Sequence, residues 1–257
     1  GRFPIYTVGG KWCEIRDCLF DDAWFKGGGG TAYVGWQHSW DCLMEDVETF
    51  DYRHAPLVQW AASGNVIRNG VFHNSDAQWH AGWCNENLFE NCEVVSRRGT
   101  GAYGYGMWAS PPNDAAHGPN GPRNCVYNCD VLSQRDGLWM GGMNENWLIL
   151  HNRFVVEKGH GVFARTASFD HIIRGNVVVV QDGRSYGIFL ATPDCIGTEL
   201  IDNAFYGAAG IYAGNAKPAV EDGNRLLPLP ETLPPRPKPA VPSIFEWQKA
   251  NVPVVRE

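Results

Sequence analysis

Four residues within one thirty-residue stretch carry acid–base or anion-neutralising groups: Asp136, Glu145, His160 and Arg165. A carboxylate and an imidazole can exchange protons, two acids facing each other across a groove can serve as general acid and base, and a guanidinium neutralises a sugar carboxylate. Lys158, and Tyr103, Tyr105 and His117 from the segment before this stretch, could join them, as could His80. Asp136-x-x-Trp139-x-x-Gly142-x-Asn144-Glu145-Asn146 is echoed by Asp76-x-x-Trp79-x-x-Gly82-x-x-Asn85-Glu86-Asn87. The echo gives these acids a second explanation, as turn residues repeated along a periodic chain.

What must position these groups is a repeat. Short apolar strands end on a polar bend residue at Asp17, Asp46, Asn69, Asn91, Asn128, Asn152, Asn176, Asn203 and, more weakly, Asn224. The steps cluster near 24 residues, too few for paired helices and enough for about three short strands per turn of a coil. Such strands cannot bury an apolar face alone; stacked on equivalent strands roughly 4.8 Å away they can. Asn accepts the left-handed conformation at a bend, and its amide can bond to the Asn of the next coil. The expected architecture is all-β: a parallel β-helix solenoid of about nine coils over residues 1–227.

The N-x-[VIL]-x-x-N-x-[FV] pattern and the G-[ILV]-[FWY] strands resemble right-handed parallel β-helix proteins of the pectate-lyase-like superfamily, and the Asn column resembles their asparagine ladder. The resemblance covers roughly residues 4–227. It implies a carbohydrate-active protein, a polysaccharide lyase ahead of a glycoside hydrolase, with calcium entering only through the resemblance because no ligand cluster is identifiable. Gly159-His160-Gly161 also resembles the Gly-His-Gly of polygalacturonase-like hydrolases. The Asn-Thr-Asp stretch and paired-Asp motif of that family have no counterpart on the coils just upstream; Asp21-Asp22 lies five coils away.

One aromatic per coil, at Trp36, Trp60, Trp79, Trp108, Trp139, Phe163, Phe189 and Tyr212, is expected to form an outward stripe if its aliphatic neighbours face the core. Trp79, His80, Tyr105, Trp108, His117, Trp139 and Phe163 are then the candidate glycan-binding residues. Coverage of the stripe by the tail, a loop or an oligomeric partner is the competing explanation. The long step from Asn91 to Asn128 makes residues 96–123, rich in Gly and Pro, a protruding loop. Residues 228–257 start with the Pro-rich PLPETLPPRPKPAVP, expected to run extended along the outside and to pack on or cap the solenoid through Phe245, Trp247 and Val252.

A net charge of −7 without a basic block argues against nucleic acid and anionic membrane surfaces. No apolar run approaches the roughly 18 residues of a membrane span. The chain starts at Gly1, almost directly in a repeat, which suggests a piece processed from a longer extracellular or periplasmic precursor. Eight cysteines without CxxC, haem or zinc spacing read as buried thiols with a disulfide or two, and no metal site is assigned. The class outside enzymes that fits the same features is a glycan-binding or structural β-helix, a subunit of a surface layer, fibre or complex.

Overall fold

The computed structural model describes residues 3–5, 7, 9–80, 82–96, 104–110 and 117–253. Strands of successive coils pair in parallel, which makes the chain a parallel β-helix. An eight-stranded sheet forms one face: Tyr33–Gln37, His54–Gln59, Asp76–Trp79, Met107–Ala109, Leu138–Met140, Val162–Ala164, Ile188–Leu190 and Tyr212–Gly214. A sixteen-stranded sheet supplies two further legs. Its first strands, Glu14–Asp21 and Leu43–Phe50, run unbroken round a corner; later coils divide there, as in Val66–Arg68 and Val71–His73. A four-stranded sheet of two-residue strands, Gly121–Pro122, Asn144–Glu145, Ser168–Phe169 and Cys195–Ile196, occupies the remaining corner.

The corner dividing the two legs is left-handed in nine coils. Asp17, Asp46, Asn69, Asn91, Asn128, His151, Gly175, Asp202 and Gly223 all have φ between 50 and 66°. The expected single column of bend residues therefore changes identity along the chain. Its first five members sit at the bend, but Asn152, Asn176, Asn203 and Asn224 lie one residue further on and form a ladder that is buried up to Asn203 and half-buried at Asn224. Asn152 donates from its backbone N and Nδ2 to Asn176 Oδ1 at 2.8 and 3.1 Å. Asn176 repeats this to Asn203, and Asn203 to Asn224, at 2.9–3.0 Å. A second ladder, not anticipated, runs at another corner through Asn65, Asn87 and Asn124. Trp147 and His171 continue that column, with Trp147 N donating to His171 Nδ1 at 3.2 Å.

Inside the coil, Val94, Val131, Phe154, Val178 and Phe205 stack in register from one leg. This column explains the recurring glycine at the entry to the eight-stranded face: a Cβ on Gly137 would lie 2.6 Å from Gly161 O and 2.8 Å from Phe154 Cδ1. Cys92 and Cys129 occupy equivalent core positions, each donating Sγ–H to backbone carbonyls, and all eight cysteines are free thiols.

The tail crosses the legs, away from the eight-stranded face. Arg153 donates to Pro234 O at 2.9 Å, Tyr127 Oη to Val241 O, and Asn91 Nδ2 to Pro242 O at 3.4 Å. It ends in the helix Ile244–Asn251, capped by Ser243, whose first amides dock on the fully buried carboxylate of Glu90. No helix among the described residues is long and apolar enough to cross a membrane.

Candidate functional site

Register on the eight-stranded face decides which side chains reach solvent. Gln78, Trp108, Trp139, Phe163 and Phe189 pair across successive strands and form the outward column, in which Gln78 is fully buried and the four rings are half-buried. Trp79 pairs with Ala109, one position later, so it points into the coil against Phe89 at 4.3 Å and Trp147 at 4.9 Å. Trp79 is fully buried and belongs to the core, not to a glycan-binding stripe, and the same holds for Trp36. Trp60 falls beyond its strand at φ 52°, and Tyr212 pairs with Ile188 in the inward set. The expected eight-aromatic stripe is thus four residues long, because a shift of one position along a strand moves a side chain to the opposite face.

These four rings stand beside a groove of about 860 Å³ lined by Tyr105, Gln134, Arg135, Asp136, Trp139, Glu157, Lys158, Gly159, His160 and Phe163. Trp139 and Phe163 lie nearly parallel, 4° apart in plane and 6.0 Å between centroids, and Phe163 and Phe189 repeat this at 7° and 5.5 Å. Trp139 and Phe163 therefore stack partly on a neighbouring ring and present the remainder to the groove, while Trp108 meets Trp139 edge-on at 68°. Tyr105 stacks on Trp139 at 5.4 Å, and the Arg135 guanidinium covers Tyr105 at 4.5 Å. Arg165 lies over Trp139 at 5.6 Å. Arg135, Lys158 and Arg165 thus gather positive charge at one face of an acidic protein.

Asp136 and His160 occupy the same position of consecutive coils, directly before the coil glycine: Gly137 N bonds to His160 O and Gly106 N to Asp136 O. Asp136 Oδ1 accepts the backbone N–H of His160 at 2.6 Å. Burial raises the Asp136 carboxyl above its ordinary value, and the His160 amide and nearby charges only partly oppose this. His160 is pushed the other way by burial, below the usual imidazole value, against the opposing pull of Asp136. Burial also raises the Tyr105 hydroxyl, so it keeps its proton at neutral pH.

The remaining expected site residues lie elsewhere. Glu145 is exposed in the four-stranded corner sheet, paired with Pro122 and Phe169 and away from the groove-lining residues. It is not brought together with Asp136, because the coil turns a corner between them. His80 and His117 form a separate cluster on the first coils of the same face, with Nε2 atoms 3.1 Å apart. Tyr33 lies beside His80, and a buried pair, His54 Nδ1 to Asp76 Oδ1 at 2.6 Å, lies next to them. Trp108 links the two regions, 5.8 Å from His54 and 6.2 Å from Trp139. Of the expected loop, 97–103 and 111–116 lie outside the described residues, Tyr103 among them.

Gln134, Arg135 and Glu157 were not singled out from sequence. The coil step exposes them: Glu157 N bonds to Ser133 O and Lys158 N to Gln134 O, so the residues just before Asp136 and His160 are equivalent.

The sequence profile of one family, described as NosD, periplasmic copper-binding protein, matches residues 40–220. The chain belongs to the NosD family. No curated protein matches it in sequence. Among solved structures, this NosD chain is similar in fold to the A-module of the Azotobacter vinelandii mannuronan C-5 epimerase AlgE6, with a TM-score of 0.63 at 12% identity. That match covers 85% of this chain, which spans only 58% of the epimerase module. The Streptococcus pneumoniae surface protein and adhesin PfbA matches with a TM-score of 0.49 and 8% identity, over 76% of this chain and 68% of that one.

The family description names copper, a metal held by imidazole and soft sulfur ligands. Among the described residues no three His, Cys, Asp or Glu side chains converge as a metal site. Met44, Met107 and Met140 are sealed in the core, and burial holds the Cys84, Cys125 and Cys129 thiols protonated. These buried sulfur groups do not fit a copper centre, and no chemical step is assigned to one.

Proposed function

We propose that the groove beside Trp139 and Phe163 binds a uronate-containing polysaccharide and cleaves it by β-elimination. The observation that carries this is the convergence of a buried carboxylate, Asp136, with His160, Tyr105 and the cations Arg135 and Lys158 in one groove edged by aromatic rings. Proton removal α to a sugar carboxylate needs that charge neutralised, a base, and an acid for the departing oxygen. Arg135, Lys158 and Arg165 supply positive charge. Asp136, its basicity raised by burial, takes the proton from C5; the electrons form the C4–C5 double bond as the C4–O bond breaks, and the leaving oxygen takes the Tyr105 proton. Solvent then returns a proton to Tyr105 and removes one from Asp136.

The aromatic edge suits the apolar faces of pyranose rings. By its name, the epimerase of similar fold works at C5 of mannuronan. The description of the family as periplasmic supports a periplasmic or extracellular setting.

The test is incubation with a panel of uronate polysaccharides, followed by the ultraviolet absorbance of unsaturated ends and, in deuterated water, by deuterium entering C5. New unsaturated ends that disappear in Asp136→Asn support the proposal. Deuterium incorporation without unsaturated ends would replace elimination by epimerisation. Binding without either would leave a non-catalytic glycan-binding β-helix.

A further inference from the structure

We propose that His160 is fixed as the neutral tautomer with its proton on Nε2, and that it serves the groove as a hydrogen-bond donor to an anionic sugar oxygen, never as the proton-abstracting base. The donor role rests on the uronate proposal above; the tautomer does not.

The backbone N–H of Tyr186 points at His160 Nδ1 from 3.0 Å. An amide N–H can only donate, so Nδ1 must accept, and in a neutral imidazole the proton is then on Nε2. Tyr186 N has no other hydrogen-bond acceptor among the described residues, so a proton on Nδ1 would set two donors against each other and orphan a backbone amide. Turning the ring over would replace Nδ1 by a carbon and lose the same bond. The ring is also clamped: it stacks on Phe189 at 4.4 Å and 22°, with Phe163 at 5.8 Å and Tyr186 at 6.2 Å.

No hydrogen bond engages Nε2 among the described residues, and His160 lines the groove. Asp136 makes no hydrogen bond to the ring among the described residues; its Oδ1 accepts the His160 backbone N–H. Asp182 is turned inward on its own loop, accepting from Arg184 N, Ser185 N and Ser185 Oγ. Burial opposes an imidazolium, which Asp136, the Tyr186 backbone and Asp182 favour, and burial prevails. Arg135 and Lys158, also at the groove, add positive charge that opposes a second proton. A group already protonated on Nε2 cannot accept a proton there. A neutral N–H suits an oxygen that gains negative charge as the C5 proton leaves, and it keeps its own proton throughout.

The tautomer can be read without substrate by nitrogen-15 NMR of histidine-labelled protein, with the His160 signal identified by hydrogen-bond coupling between Nδ1 and the Tyr186 amide nitrogen. The expected result at neutral pH is a bare Nδ1 and a protonated Nε2, with the second proton taken up only below the pH at which an ordinary histidine gains it. A protonated Nδ1 at neutral pH, or an imidazolium forming at or above the pH of an ordinary histidine, overturns the inference whatever the protein does to sugars. In turnover, His160→Gln keeps a donor near Nε2 and should stay within roughly tenfold of the parent, while His160→Ala should fall by roughly 100- to 1000-fold, the cost of one lost donor to a developing anion. Equal losses in the two variants would make His160 a base and sink the donor role. Absence of turnover on every uronate polymer would instead fall on the function proposed above and leave the NMR result standing.

Discussion

At the scale of single residues, the groove depends on burial setting two neighbouring titratable groups in opposite directions. Burial raises Asp136 and lowers His160, so each is pushed toward its uncharged form. Asp136→Asn is expected to lower kcat by roughly 100- to 10,000-fold, the usual contribution of a positioned base, with little change in KM. In the parent protein the rate should fall as pH drops through the raised Asp136 value, because the protonated acid cannot accept the C5 proton. That acid limb should therefore lie above the ordinary carboxylate range, and a pH profile of kcat/KM checks it. Asp136, His160 and Arg165 were legible in the sequence from residue type and spacing. Gln134, Arg135 and Glu157 were not, since polar residues shortly before a glycine look like any solvated turn until the coil equivalence places them on the groove.

At the scale of elements, the ladders hold successive coils in register. Asn176 accepts two bonds from Asn152 and donates to Asn203 Oδ1 at 2.9 Å and Ile149 O at 2.8 Å, all buried. Removing one amide strands partners on both sides, each costing about 1–3 kcal/mol. Asn176→Ala is expected to destabilise the protein by about 3 kcal/mol or more, measured by denaturant unfolding.

His171 stands where the other ladder would carry an Asn, and burial lowers its pKa to about 3. Above about pH 6.5 it is neutral folded or unfolded and has no effect on the balance. Below that, the unfolded chain takes up a proton that the native state refuses, so stability falls by about 1.4 kcal/mol per pH unit down to the folded value. His171→Asn can offer its Oδ1 to Trp147 N as Asn124 does for Asn87, and should fold while removing that contribution to the acid slope. Unfolding curves from about pH 7 to 4 test this; an unchanged slope would mean that another group carries it. His80, pushed down to about 2, should add a similar slope of its own.

At the scale of the whole molecule, the tail straps the legs together and, among the described residues, lies away from the groove face. Glu90, fully buried, accepts from Ser243 Oγ at 2.5 Å, Ile244 N at 2.6 Å and Phe245 N at 3.1 Å, with Arg68 beside it. Arg68 also pairs with Glu45 at 2.9 Å and with Glu246 of the tail helix. Glu90→Ala should release the helix, cost about 3–5 kcal/mol through unpaired buried groups, and make the segment after Leu227 the first site of limited proteolysis. Because the strap lies on other faces, sugar turnover at moderate temperature should change little. A matching loss of turnover would show that the tail supports the groove.

The sequence by itself determined the solenoid, because a 24-residue recurrence of apolar strands and left-handed bend residues has no other way to bury its apolar faces. It also marked the Pro-rich strap as something outside the coil. Only the tertiary structure decided which aromatics face out. Trp79 and Trp139 occupy matching places in an echoed motif, yet Trp139 pairs with Trp108, which pairs with Gln78, and so Trp79 falls one position late and turns inward. Asp136 and Glu145 are likewise close in sequence, yet a corner sets them on different faces. A period of about 24 residues defines a coil, but a strand alternates every two, so an offset of one residue is invisible to the first and decisive for the second.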